Sequence, residues 1–303
     1  MLVDEWRRGG RSFRYRGHEV FYRDDGDGPL LLCLHGFPSA SWDWHKLWPA
    51  LTSRFRVVAP DMLGFGLSAK PRNYDYSLRD QASLHAALLR SLGLDSGHVL
   101  AHDYGVSVAQ ELLARSADSE HSPLDSRRPD AFRPQSVCFL NGGLFPELHR
   151  ARMVQKLLHS PLGPLLGRLM NERSFSRSFA AVFGPQTQPS AAELHAVWKL
   201  NTCNDGPRVV HRIIRYLTER RQFRERWVGA LQTSAVPLRF INGPEDPVSG
   251  RHMAERYREL VPQADVVLLE GIGHYPQNEA PQRVLEAFLP FVARSAGGSP
   301  AAA

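Results

Sequence analysis

Short, mostly apolar runs recur along the chain, and each ends in a turn. LLLCL at 30–34 leads into HGFP, and the form returns in RVVAPD at 56–61, HVLAHD at 98–103, SVCFL at 136–140, PLRFING at 237–243 and ADVVLLEG at 264–271. Runs this short, bounded by turn residues, fit strands covered on both faces, as in a parallel sheet packed between helices. Helical stripes fill the gaps. Leu78, Ala82, Leu88, Leu89 and Leu92 follow a capping-box pattern at Ser77 and Asp80, and Val108, Ala109, Leu112 and Leu113 follow His102-Asp103. Strand and helix alternate, which predicts an α/β fold with a mostly parallel central sheet flanked by helices.

The alternation is interrupted once. From 145 to 230 strand signals stop and helical patterns take over: Val154, Leu157 and Leu158; a second capping box at Ser190 and Glu193; then Val209, Val210, Ile213, Ile214 and Leu217. The expected organisation is a discontinuous core of 1–144 and 231–294, a helical cap of 145–230, and a disordered tail at 295–303. Two strand-like stretches, RSFRYRG and HEVFYRD, precede the first apolar run, the polar segment 116–135 reads as an exposed loop, and 281–294 reads as a closing helix. Hydrophobic residues are 43% of the 303, enough to fill the core of one large domain with an appendage.

Composition excludes wholesale disorder, collagen and coiled coil. No run approaches the roughly 20 apolar residues of a membrane span, and MLVDEWRRGG holds no apolar stretch fit for a signal peptide, so a cytoplasmic protein is expected. Cys33, Cys138 and Cys203 are too scattered for a disulfide framework or a metal site, and no cofactor or metal is expected. The net charge of +6 is carried mostly by arginine without an interleaved basic and aromatic motif, so no nucleic-acid partner is expected. Arg212, Arg215, Arg220, Arg221, Arg224 and Arg226 read as a solvated helix face, with weak peripheral contact to an anionic membrane as the alternative.

The chemistry concentrates where strands end. Ala101-His102-Asp103-Tyr104-Gly105 has a small residue two places either side of Asp103 at a strand-to-helix junction, as a sharp turn that exposes its central side chain requires. An Asp there can also serve as a helix cap. Two later features favour catalysis: Gly243-Pro244-Glu245-Asp246-Pro247 and Gly273-His274-Tyr275-Pro276 each follow a strand-like run. Nucleophile, acid and histidine in that chain order make Asp103 the nucleophile, Asp246 the orienting acid, ahead of Glu245, and His274 the general base. HGFP supplies a second loop, so the backbone N–H groups of Phe37 and Tyr104 are the oxyanion donors. Gly64-Phe65-Gly66-Leu67-Ser68-Ala69 matches a dinucleotide fingerprint, but Lys70-Pro71-Arg72-Asn73 would break the helix it must open, and NAD binding is rejected.

HGFP, DMLGFGLS, HDYG, GPEDP and GHYP together resemble the epoxide hydrolase and haloalkane dehalogenase branch of the α/β-hydrolase superfamily, over nearly the whole chain. VAQELL, NGGLFPELHR, VFGP, NDG and RWVGAL narrow the likeness to one subfamily of that branch. The resemblance implies an α/β-hydrolase fold with an inserted helical cap, and an alkyl-enzyme ester formed on Asp103 from a small apolar substrate, then hydrolysed by water that His274 activates. Epoxide hydrolases of this kind protonate the opening oxide with cap tyrosines, usually two. Here Tyr216 is the one tyrosine between 145 and 230, and it is the candidate leaving-group acid. Dehalogenases often place a halide-binding Trp after the nucleophile, where this chain has Tyr104. Epoxide opening is therefore the first expectation and dehalogenation the second. A binding or signalling protein that keeps the fold without turnover is a further alternative, and an esterase, disfavoured by the absence of Ser at 103, is the last.

Overall fold

The computed structural model describes residues 1–121 and 132–297. Every apolar run named above forms a strand. The strands are β1 (Arg11–Tyr15), β2 (His18–Asp25), β3 (Leu30–Leu34), β4 (Arg56–Pro60), β5 (Ser96–Ala101), β6 (Arg133–Phe139), β7 (Leu238–Asn242) and β8 (Val266–Leu268). They make one sheet in the order β1-β2-β4-β3-β5-β6-β7-β8. β2 pairs antiparallel with β1 and β4, and the remaining neighbours are parallel.

The parallel strands are buried on both faces because each feeds two cores. In β3, Leu30, Leu32 and Leu34 join the cluster formed with Leu84, Leu88, Val108 and Leu112. Leu31 and Cys33 point to the opposite cluster, with Trp44, Trp48, Phe288 and Val292. That division is the two-residue period of a strand. The helices Leu78–Ser91 and Tyr104–His121 cover the first face, and Pro281–Gly297 covers the second.

β4 lies on one side of β3 and β5 on the other. The winding direction changes at that point, which opens a crevice at the C-terminal ends of β3 and β5. The HGFP loop follows β3 and Asp103 follows β5, so both stand at the crevice.

Between β6 and β7 the ordered elements are helical, including Met153–His159, Gly163–Leu169, Glu172–Ala180, Ala191–Thr202, Val210–Ile213, Tyr216–Gln222 and Arg224–Gln232. The Ser190 box forms as expected: Glu193 N–H donates to Ser190 Oγ at 3.2 Å and Ser190 N–H to Glu193 Oε2 at 2.8 Å. Arg224–Gln232 packs along Tyr104–His121, with Trp227 Nε1 donating to Glu111 at 2.8 Å. That last helix thus belongs to the helical layer of the core.

Several expectations are corrected. The segment expected as a loop from 116 begins as helix, because Tyr104–His121 continues through it, and 133–135 belong to β6; 122–131 lie outside the described residues. The expected tail is helical as far as Gly297, and 298–303 lie outside the described residues. Trp6 draws the N-terminus into a short helix, Val3–Arg8, by packing edge-on against Trp48 at 4.7 Å. The box at Ser77 does not close, because Asp80 turns to the hydroxyls of Tyr15 and Tyr74. Glu219 from the inserted helices takes its place, accepting from Ser77 Oγ at 2.7 Å and from the N–H groups of Leu78 and Arg79 at 2.7 and 3.3 Å. The Gly64–Ala69 segment runs as turns, and the next helix begins at Leu78. Among the described residues no helix is long and apolar enough to cross a membrane.

Candidate active site

Asp103 sits between the end of β5 and the helix Tyr104–His121 with φ of +43°, in the left-handed region that non-glycine residues seldom adopt. Three contacts hold it there. Its N–H donates to the Asn141 carbonyl at 2.8 Å, Gly105 is so close to Leu34 that a Cβ would collide with the Leu34 carbonyl, and a Cβ on Gly142 would stand 3.1 Å from Asp103 Cα. The strained turn thrusts the carboxylate into the crevice, at the positive end of the following helix.

The residues expected from the sequence converge on that carboxylate. Phe37 N–H donates to Asp103 Oδ2 at 3.1 Å. Tyr104 opens the helix, so its N–H is one of the donors a helix start leaves without an intrahelical acceptor. His274 places Nε2 3.9 Å from Asp103 Oδ2 and Nδ1 2.7 Å from Asp246 Oδ2. Asp246 is buried and further held by Ser249 Oγ at 2.6 Å, Asn141 Nδ2 at 2.9 Å and Val248 N–H at 2.7 Å. Glu245 is exposed and takes no part.

Electrostatics follow from this burial and pairing. Burial would raise the pKa of Asp103, but the hydrogen bond and charge of His274, then Arg220, hold it well below the usual carboxylate range. Asp246 is lowered in the same way, with His274 as the main partner against burial. For His274, burial opposes protonation, yet the charges and hydrogen bonds of Asp246 and Asp103 outweigh it and raise its pKa.

Tyr216 is placed differently from Asp103, His274 and Asp246. Its ring is fully buried, 5.8 Å from Phe37 and 5.2 Å from Tyr104, and its hydroxyl accepts from Gln155 Nε2 at 3.3 Å. It does not line the cavity that opens onto Asp103. That cavity, about 160 Å³, runs between the crevice and the inserted helices and is bounded by Phe37, Leu158, Met170, Phe175, Phe179 and Tyr275, among others. Tyr275 thus brings a phenol to the cavity wall, its hydroxyl directed at the Phe37 carbonyl at 3.4 Å.

Four further residues were not singled out for the site in the sequence. Asn141 ties Asp103 to Asp246: besides its bonds to both, it exchanges hydrogen bonds with the Gly243 backbone at 2.6 and 2.9 Å. Arg220 is buried rather than solvated; its guanidinium bonds the Asp103 carbonyl at 2.8 Å and Ser107 Oγ at 2.7 Å, and lies 3.6 Å from Asp103 Oδ1. His102 Nε2 donates to the His274 carbonyl at 2.8 Å, with burial pushing its pKa down to about 3. His35 braces the HGFP loop, Nδ1 toward the Gly36 carbonyl at 2.8 Å and Nε2 accepting from Met62 N–H at 3.0 Å. The available signals were position just past a strand for Asn141 and His102, and i, i+4 spacing from Tyr216 for Arg220.

The rest of the Arg212–Arg226 cluster is divided. Arg224 pairs with Glu147 at 2.6 Å and Arg226 with Glu111 and Asp118 at 2.9 and 2.8 Å, while Arg215 and Arg221 are exposed. The cysteines are free; Cys33 and Cys138 are buried, which raises their thiol pKa, and Cys203 is half-buried. Among the described residues no group of His, Cys, Asp or Glu is arranged to hold a metal.

Fold and site together define an α/β hydrolase, and residues 31–287 match the model of the alpha/beta hydrolase family, to which the chain belongs. Its nearer likeness is to the mesoderm-specific transcript homolog protein of Bos taurus, 44% identical over 301 residues, covering 96% of this chain and 88% of that protein. Among solved structures, haloalkane dehalogenase DbeA from Bradyrhizobium elkani aligns with a TM-score of 0.79 at 22% identity, over 96% of this chain and 99% of that one. The epoxide hydrolase CorEH aligns with a TM-score of 0.77 at 22% identity, over 94% and 98%. At that identity the likeness is one of fold.

Proposed function

We propose that this hydrolase acts through an alkyl-enzyme ester on Asp103 and opens small apolar epoxides. The observation that carries the reading is the carboxylate at the elbow, anchored by Phe37 N–H at 3.1 Å with His274 Nε2 3.9 Å away. A carboxylate held ionised needs no base to attack a saturated carbon. One Asp103 oxygen forms a C–O bond to the substrate carbon, the ring C–O bond breaks, and the alkoxide takes a proton from a phenol at the cavity. Tyr275 lines that cavity, while the Tyr216 hydroxyl reaches it through Gln155.

Ester formation removes the Asp103 charge that helps keep His274 protonated. The ring can then pass its proton to the phenolate left by ring opening and take one from water, and the hydroxide adds to the ester carbonyl. The negative oxygen formed in that step would be met by the N–H groups of Phe37 and Tyr104. Collapse expels the substrate oxygen, which takes the proton from His274, and the carboxyl so formed returns its proton to the ring, releasing the diol and restoring the carboxylate. Dehalogenation is less well served, because the Tyr104 hydroxyl is engaged with the Tyr76 carbonyl at 3.1 Å. The inserted helices act as a cap, since Leu158, Met170, Phe175 and Phe179 all wall the cavity.

The test is His274→Gln incubated with a short-chain epoxide that the wild type turns over. A stoichiometric adduct of substrate mass on the Asp103 peptide is expected. A turned-over epoxide that leaves no adduct on the variant would sink the ester mechanism, and a wild type inert to every epoxide and haloalkane would favour the fold's non-catalytic use.

A further inference from the structure

Large apolar side chains that face solvent are concentrated in one place. Among the described residues, Met1 and Leu2 apart, they are Met153, Val154, Leu157, Leu162, Leu165 and Leu169, each between 40% and 68% exposed. They belong to Met153–His159, to Gly163–Leu169 and to the turn joining them, two helices that pack against each other. On a helix, residues one turn apart share a face. Here Met153 and Leu157, and Leu165 and Leu169, turn that face outward, so these helices present their apolar side to solvent. A contiguous patch of this kind marks an interaction surface.

What covers it is indicated by charge. Arg150, Lys156, Arg168, Arg173 and Arg177 are exposed around the patch, and among the described residues none of them forms an ion pair. The carboxylates of the same stretch are already taken: Glu147 pairs with Arg224 and Glu172 with His195, each at 2.6 Å. Arg212 and Arg215 continue the basic rim along the groove they share with Pro161 and Pro164. An apolar face rimmed by free cations suits the interface of an anionic bilayer, where leucine side chains enter the acyl boundary and arginine and lysine meet phosphate.

The patch also adjoins the active-site cavity. Val154 belongs to both, and the exposed Ser174 and Ser178 line the cavity beside it. We propose that helices Met153–His159 and Gly163–Leu169 seat the protein on an anionic phospholipid surface, with the mouth of the cavity turned to the bilayer. The substrate then enters from the lipid phase; this second clause rests on the hydrolase reading above, whereas the docking does not. The membrane-facing cations are thus those of 150–177 joined by Arg212 and Arg215, rather than the whole Arg212–Arg226 cluster.

The test is flotation of the full chain with phosphatidylcholine vesicles holding about a third phosphatidylglycerol, compared with the double variant Leu165→Asp, Leu169→Asp. Both residues are exposed and outside the cavity lining, and circular dichroism and the unfolding midpoint verify that the variant is folded. The wild type should float, with the bound fraction falling about tenfold or more in the variant and several-fold on pure phosphatidylcholine or when salt is raised from about 0.1 to 0.5 M. A wild type that stays with the soluble fraction, or a variant that floats equally, overturns the proposal. So does equal binding to neutral vesicles, or a wild-type dimer that the variant dissolves without any flotation, which would assign the face to a second copy. Flotation is read without turnover, so its outcome is separate from that of the adduct experiment.

Discussion

Asp103, His274 and Asp246 were legible as residues because their chemistry needs particular side chains at strand ends, and strand ends are visible in the sequence. The phenols were not. Tyr216 and Tyr275 are both fully buried tyrosines near Phe37, yet Tyr275 lines the cavity and Tyr216 has its hydroxyl on Gln155. No sequence pattern distinguishes them, because which phenol faces the substrate depends on how the inserted helices close over the crevice. If Tyr275 supplies the proton, Tyr275→Phe should slow epoxide opening by about 100-fold, the lower end of what a general acid contributes, and Tyr216→Phe by much less. Single-turnover rates of ring opening measure both, and the reverse ranking would return the acid to Tyr216.

At the scale of elements, the helix Tyr216–Gln222 was read as part of a solvated arginine face, and it proved to be the clamp between the inserted helices and the core. Tyr216, Glu219 and Arg220 share one face by their three- and four-residue spacing. They reach Tyr104, the start of helix Leu78–Ser91, and Asp103 respectively. Glu219 satisfies N–H groups that Ser77 and Asp80 leave open, so its loss removes a cap supplied from 142 residues away in sequence. Glu219→Ala should destabilise the protein by about 1–2 kcal/mol, as loss of a helix cap does. The urea midpoint should fall with an unchanged slope, and an unchanged midpoint would mean that water replaces the carboxylate without penalty.

At the scale of the whole molecule, the core holds several histidines neutral. Burial lowers His85 to about 4 and His102 to about 3, and each leaves one ring nitrogen without a hydrogen-bond partner. The unfolded chain binds those protons near pH 6.5. Their stabilising contribution is therefore complete above about 6.5 and is lost as pH falls toward the folded values, by at most about 1.4 kcal/mol per pH unit for each. His274 has the opposite sign: its raised pKa gives a contribution complete below about 6.5 and lost as pH rises, so it does not cause the decline on the acid side. The thermal midpoint should fall between pH 7 and pH 5 with protons taken up on unfolding, and a flat profile over that interval would contradict the buried, neutral state of these rings.

The sequence by itself determined the alternating sheet, the place where helices interrupt it, and the strand-end positions of Asp103, Asp246 and His274. Each of these rests on local physics: an apolar run long enough for a strand, a helical period, a turn that tolerates only small neighbours. Tertiary structure alone decided that Arg220 and Asn141 hold Asp103, that Glu219 caps a distant helix, and that Val154 and Leu157 face outward when their stripe alone suggests burial. Those outcomes depend on which distant segments of the chain meet, and a helical stripe says that a face is apolar without saying what lies against it.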